Sequence, residues 1–454
     1  MPAADSNDPP DVRSPIRPED MGIRASLMDD IILRRINAEG RIVMTSLAEK
    51  LHASVNVVDP LLLALRDRSL IEFDGMEGRA YVVSCTDAGR SLVSQRSKEC
   101  RYSGPLPVSL ELYSRVVRAQ RPHLHLDRER LTRAFSDLVI SPALLDALGP
   151  AIHGTGAMFL YGPPGTGKSS IAERIVRAHE DVVLIPHCIE VDGQIISVFD
   201  PTIHDAIDQQ PPGMDRRWIA CRRPAVVAGG ELHAAMLDLQ LDRDIGVYLA
   251  PLQALANNGI LVIDDFGRQA MSPTALLNRW IVPLDRGVDF LTLHGRKFQI
   301  PFECKVVLST NLDPSKLGDE AFFRRIHNKI FIGSIDDEQF EWILARVTKS
   351  VGLICDAAAA ARLRTVAKER GDGELRAYLP GVVCDLATSV IRYENLPPTL
   401  TPALVDRVLD LFFTRGAEVT APRFSNDGPS IEHMESDPES MIGDELDEIV
   451  AAGL

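Results

Sequence analysis

The run Gly162-Pro163-Pro164-Gly165-Thr166-Gly167-Lys168-Ser169, followed by Ser170, restricts this chain more than any other feature. It meets the pattern G-x-x-x-x-G-K-[ST] at every fixed position. An apolar strand candidate, A-M-F-L-Y at 157–161, precedes it, and a helical segment, 169–178, follows. The chemistry needs that context. Gly162, Gly165 and Gly167 free the backbone to turn its N–H groups inward around phosphate oxygens. The helix behind them adds the positive end of its dipole. Lys168 reaches the β- and γ-phosphates, and Ser169 offers a hydroxyl to Mg2+. ATP with Mg2+ is the expected ligand pair, and Gly162 to Ser170 the expected contact set.

Residues 151–335 alternate apolar strands with helical segments, the signature of a parallel α/β sheet. The strand candidates are 157–161, D-V-V-L-I-P at 181–186, I-L-V-I-D at 260–264 and K-V-V-L-S-T at 305–310. They lack polar alternation, as strands buried on both faces should. The third ends in Asp264-Asp265, which places Asp264 at the sheet edge to hold the Mg2+ shell. Asp265 is then set to orient or deprotonate a water. Ninety-six residues separate Lys168 from Asp264. Two strand–helix–strand steps need only about 60, so insertions are expected, and 237–250 alternates well enough for an inserted hairpin. The fourth strand ends at Asn311, which is either a turn residue or an amide holding the attacking water or the γ-phosphate. In D-E-A-F-F-R-R-I, Arg324 and Arg325 close a helix. They are a solvated end or an ion pair unless a neighbouring subunit needs an arginine finger.

Taken together, these elements resemble the AAA+ ATPase superfamily over residues 135–415. The order is Walker A (162–169), Walker B (260–265), sensor 1 (Asn311), finger (Arg325 or Arg324) and a helical lid. The set is more similar still to MoxR-like ATPases, which carry a hairpin before sensor 1 and an insert before Walker B. D-F-L-T-L-H-G-R-K-F-Q-I-P-F at 289–302, turning near His294-Gly295, matches the hairpin, and 237–250 matches the insert. E-A-F-F-R-R ending at Arg325 aligns with that group's finger motif, with Arg324 where Asp is usual. The resemblance implies a P-loop NTPase sheet with a C-terminal lid and a homo-oligomeric ring with nucleotide at each subunit boundary. It also implies a protein client that the ring remodels. Asp265 stands where most such motors have Glu, which implies slower turnover. The lid's sensor arginine is matched only by Arg376, in E-L-R-A-Y-L-P-G-V-V.

The rest of the chain divides by composition. Residues 1–20 hold five prolines and read as disordered. Residues 21–98 run helix (28–37), short helix (46–52, with Thr45 as a cap), helix (57–68), two strands (71–75 and 79–84) and a helix (86–93). That order, closing on T-D-A-G-R, resembles a winged helix-turn-helix domain. Pro60 is tolerable only in the first turn of the third helix. Residues 99–134 are a linker with helices, 336–415 the lid and 416–454 an acidic disordered tail. The net charge of −15 argues against a chain-wide nucleic-acid surface. Residues 21–99 carry eleven cations and eleven anions, and the third helix is mostly apolar. Protein contact is therefore favoured over DNA. No apolar run reaches the roughly 18 residues of a membrane span, and the start lacks a signal-peptide pattern. Seven scattered cysteines without zinc spacing fit reduced thiols in a cytoplasmic protein. Two other functions stay open: a DNA-binding regulator switched by ATP, and a scaffold that binds ATP but barely hydrolyses it.

Overall fold

The computed structural model describes residues 12–121, 127–153, 156–179, 181–313, 324, 326–371 and 373–413. The described residues as far as Asp406 form one compact unit, and a second unit begins at Arg407. The acidic tail and Arg325 lie outside the described residues.

The first helix, α1 (Ala25–Glu39), places Met28, Ile31, Ile32 and Ile36 on one buried stripe at helical spacing. After it come β1 (Arg41–Val43), α2 (Met44–Lys50), α3 (Val55–Asp67), β2 (Ile71–Glu77), β3 (Ala80–Cys85) and α4 (Asp87–Arg96). The three strands form an antiparallel sheet in the order β1-β3-β2. Thr45 caps nothing: α2 starts at Met44 with Val43 before it and no side-chain cap. Likewise α3 begins at Val55, so Pro60 sits past its first turn. Residues 12–20 are not a loose leader. Val12 is buried, Arg13 pairs with Met214, and the carbonyl of Pro15 accepts a bond from Ser54 Oγ at 2.9 Å. Proline content alone misleads there, because an extended Pro-rich strip can dock as an edge.

This N-terminal part does not close its own core. Leu33, Leu47, Leu62 and Val83 share one apolar cluster with Leu106, Cys188, Ile195 and Val247. The partners come from the next layer. There, β4 (Val108–Ser109) leads into α5 (Leu110–Ala119), α6 (Arg128–Ala134) and α7 (Pro142–His153). After β5 (Met158–Tyr161) and α8 (Lys168–Ile175) the chain leaves the main sheet to make β6 (Val182–Pro186), β7 (Cys188–Val191), β8 (Gln194–Ser197) and β9 (Trp218–Arg222). It returns as β10 (Ala225–Ala228). The hairpin β11 (Gln240–Asp242) and β12 (Val247–Leu249) precedes α9 (Leu252–Leu255) and β13 (Ile260–Ile263).

The segment 181–186 was expected in the parallel sheet. Instead β6 pairs antiparallel with β9, and β10 takes the edge position. Both segments are short apolar runs, which composition alone cannot assign to one sheet or another. The expected hairpin at 237–250 is present, but it belongs to a five-stranded mixed sheet ordered β11-β12-β8-β7-β4. In that sheet β4 runs parallel to β7, with Val108 opposite Ile189. Helix α5 packs Tyr113, Val116 and Val117 against Val183, Ile185, Ile189 and Trp218.

The remaining elements are α10 (Pro273–Arg286), β14 (Val288–Leu293), β15 (Arg296–Pro301), β16 (Lys305–Thr310) and β17 (Asn328–Phe331). The main sheet is all parallel in the order β10-β13-β16-β5-β17. Strands β14 and β15 form a hairpin closed by His294 (φ 48°) and Gly295 (φ 76°), the two left-handed residues of a tight turn. The lid begins with α11 (Asp337–Val351), held by a reciprocal cap between Asp336 and Gln339. Next come β18 (Ile354–Cys355), α12 (Ala357–Arg370), α13 (Leu379–Glu394), β19 (Thr399–Leu400) and α14 (Pro402–Phe412). No helix among the described residues is long and apolar enough to cross a membrane.

Candidate functional site

The loop between β5 and α8 leaves the C-terminal edge of the parallel sheet beside the ends of β13 and β16. Gly162 is fixed by its surroundings: φ is +149°, and a Cβ there would fall 2.1 Å from the carbonyl oxygen of Ile332. Gly167 (φ +92°) is the residue from which α8 starts, so the first free N–H groups of that helix face the loop. Thr166 Oγ1 ties the loop together through the Pro163 carbonyl at 3.1 Å. The Lys168 ammonium is buried and donates to the carbonyls of Gly162 (3.0 Å) and Pro163 (2.7 Å). Burial lowers its pKa below the usual lysine value, while the carboxylates of Asp264 and Asp265 act in the opposite sense.

The end of β13 supplies the acidic wall. Asp264 Oδ1 accepts from the Asp265 N–H at 3.0 Å. Asp265 is exposed and adopts a left-handed backbone, φ +48°. Gln269 holds that turn: its Nε2 donates to the carbonyls of Asp264 (2.8 Å) and Asp265 (3.1 Å), and its Oε1 accepts from Gly267 at 2.8 Å. Asn311, at the end of β16, donates through Nδ2 to Asp265 Oδ1 at 3.1 Å. Thr310 Oγ1 donates to the Phe266 carbonyl at 2.6 Å, which joins the two strand ends.

These groups open onto a cavity of about 910 Å³. Its polar end is lined by Gly165 to Ser170, Asp264, Asp265, Ser309 and Asn311. Ser309 Oγ is buried there without a hydrogen-bond partner. Apolar side chains line the cavity too, a slot made of Val139, Ile140 and Leu144 with Ile343 and Val347 of α11, beside the polar Asp137, Lys329, Gln339 and Arg346. A polar pole of inward N–H groups beside an apolar slot is the division a nucleotide presents, polyphosphate at one end and base at the other. Ser169 and Asp264 are hard oxygen donors at the polar end, a set that fits Mg2+ keeping waters and phosphate as its other ligands.

Of the residues expected from the sequence, the structure gathers Gly165, Thr166, Gly167, Lys168, Ser169, Ser170, Asp264, Asp265 and Asn311 on one cavity. Gly162, Pro163 and Pro164 are not among the lining residues. Arg376 is not among the lining residues, and its Nε is buried without a hydrogen-bond partner. Its neighbours Ala377 and Tyr378 line the cavity instead. Arg324 is exposed and does not line it. Sequence reasoning missed the apolar slot, because Ile140, Leu144, Ile343 and Val347 read as ordinary core. It also missed Gln269, which sits in an unremarkable polar turn.

Residues 142–281 match the family model described as AAA ATPase domain. Over these residues the chain is similar to an AAA ATPase domain. The matched stretch holds the phosphate loop and both carboxylates and stops before β14. Residues 336–411 match a family described only as a domain of unknown function (DUF8689), and that stretch is the helical lid segment. No curated protein matches this chain in sequence. Among solved structures, a point mutant of Thermotoga maritima RuvB is 12% identical, with 64% of this chain and 73% of that chain covered at a TM-score of 0.36. The Thermotoga maritima RuvB Holliday junction branch migration motor is 13% identical, with coverage of 64% and 72% at a TM-score of 0.34. Overlaps this low transfer no function to this chain.

Proposed function

We propose that this protein binds ATP with Mg2+ and hydrolyses it in a ring of identical subunits, so as to remodel or activate a protein client. The convergence of the loop, Asp264, Asp265 and Asn311 on one cavity closed by the lid carries the reading. Lys168 is held at the loop by two backbone carbonyls, from which it can be drawn to the more strongly attracting phosphate. Ser169 and Asp264 would hold the metal, which supplies charge neutralisation at the phosphates. Asp265 accepts the proton of the attacking water, and Asn311 fixes its carboxylate. Arg325 is assigned as the finger acting on a neighbour's γ-phosphate. The MoxR-like character rests on the two hairpins, 240–249 and 288–301, which offer moving edges to a client.

The experiment is ATP binding and phosphate release by the full chain beside a Lys168→Ala variant. Loss of both in the variant is expected, with turnover reduced by at least about 100-fold. Equal activity in the two proteins would sink the proposal. The same assay separates the scaffold reading, favoured by the short reach of Asp265: ATP bound by the wild-type chain with no turnover beyond the Lys168→Ala background selects it.

The N-terminal part we read as a winged helix used for protein contact in a cytoplasmic chain. A DNA-reading helix presents its N-terminal residues to base edges. Here the start of α3 lies under Pro15, which accepts from Ser54, and the preceding His52 ring contacts the Arg216 carbonyl at 2.7 Å. Salt-sensitive binding of duplex DNA by the full chain would reverse this preference.

A further inference from the structure

We infer that Tyr378, rather than an arginine, is the lid's contact with the phosphate-binding loop and the residue that registers the lid on bound nucleotide. This rests on the ATP-binding reading above. Tyr378 is the residue from which α13 starts. Its N–H donates to the Gly165 carbonyl at 3.2 Å. Its ring covers Gly165 so closely that a Cβ on that glycine would fall 2.1 Å from Cδ1 and 2.5 Å from Cε1. Gly165 has φ +76°, so the loop needs glycine there for its turn, and the tyrosine ring occupies the space the missing side chain leaves. Tyr378 lines the cavity, whereas Arg376, two residues earlier, does not.

The placement says what Tyr378 can do. It brings no charge, so it cannot neutralise a phosphate as an arginine would. It can fix distance. The lid also supplies Ile343 and Val347 to the apolar slot of the cavity. A lid seated on Gly165 by ring contact and one backbone bond therefore sets the place of both Tyr378 and the apolar side chains of α11 in the cavity wall. Without the ring, the loop and the hydrolytic carboxylates keep their own bonds, because Asp264, Asp265, Gln269 and Asn311 are joined to one another and not to the lid. Tyr378 is thus a positioning residue for nucleotide affinity, separable from the groups that act on water.

The test compares full-length wild type, Tyr378→Ala and Tyr378→Phe, with three measurements on each. These are the Kd for ATP by calorimetry, the steady-state kcat and KM for ATP, and the ATP-induced rise in unfolding midpoint taken from each variant's own ligand-free value. That last measure stays readable if a variant is less stable. Tyr378→Ala is expected to raise Kd and KM roughly tenfold while kcat stays within about twofold. Tyr378→Phe should behave as wild type, because the contacting atoms Cδ1 and Cε1 remain. Wild-type affinity in Tyr378→Ala, or a loss in Tyr378→Phe as large as in Tyr378→Ala, overturns the assignment while leaving ATP binding intact. Absence of ATP binding by the wild-type chain overturns the ATP reading and this inference with it.

Discussion

Asp265 occupies a left-handed backbone position, where Asp and Asn are tolerated better than longer or branched side chains. Its place is fixed from two directions, by the amide of Asn311 and by Gln269 gripping the carbonyls beneath it. Gln269 is not among the residues that line the cavity, so its effect must pass through the Asp264–Asp265 turn. Replacing it with Ala is expected to lower kcat by about tenfold to 100-fold with KM little changed. Steady-state kinetics checks this, and a variant whose KM rises instead would remove Gln269 from the positioning role. The acidic pair and Asn311 were legible in the sequence because each follows an apolar strand behind a phosphate loop. Gln269 was not, since its action depends on a turn geometry with no residue pattern of its own. Arg376 drew attention in the sequence by its charge; in the structure it does not line the cavity, and the tyrosine two residues later contacts Gly165.

At the scale of elements, the hairpin β14–β15 depends on one buried carboxylate. Asp289 is fully buried and is bonded by Arg279, by Gln253 Nε2 at 2.9 Å and by the N–H of Phe290 at 2.7 Å. Removing it takes away the buried acceptor shared by Arg279, Gln253 and the Phe290 N–H, leaving the two side chains only the Leu237 carbonyl and, for Arg279, the more distant Asp238. Asp289→Ala should therefore lower the unfolding free energy by about 3 kcal/mol. A denaturant titration measures this, and a change below about 0.5 kcal/mol would show that the hairpin is held by its apolar face alone. The hairpin itself was legible at 289–302 through the family resemblance and the His294-Gly295 turn. The membership of the inserted strands was not. Val182–Pro186 and Ala225–Ala228 are similar apolar runs, and only tertiary pairing sends one to an antiparallel ribbon and the other to the edge of the main sheet.

For the whole molecule, acid sensitivity follows from two half-buried histidines. Burial, with Arg223 nearby, pushes the pKa of His179 down to about 4, and burial beside His52 does the same for His187. Both are neutral in the fold, whereas the unfolded chain holds them near the usual 6.5. Between pH 6.5 and 4 the unfolded state binds more protons, so stability falls as pH falls through that window. Each site contributes up to roughly 3 kcal/mol of loss by about pH 4. Replacing His187 with Gln should flatten the decline of the unfolding midpoint over that range, and an unchanged slope would rule His187 out as a source. The histidines gave no such signal in the sequence, where burial is invisible. The domain order was legible along the chain, but the sharing of one apolar core between the N-terminal helices and the inserted sheet was not. It brings together residues as distant as Leu33 and Val247.

That shared core also sets a timetable for synthesis. The N-terminal helices leave the ribosome with the face that meets Cys188, Ile195 and Val247 uncovered. Chains grow at about 5–20 residues per second, so roughly 8–30 seconds pass before Val247 follows Arg96 out. Until Cys188, Ile195 and finally Val247 arrive, part of that oily surface stays uncovered. Production of this protein is therefore expected to be limited by what shields that surface during translation, and a slower ribosome should lower the soluble yield.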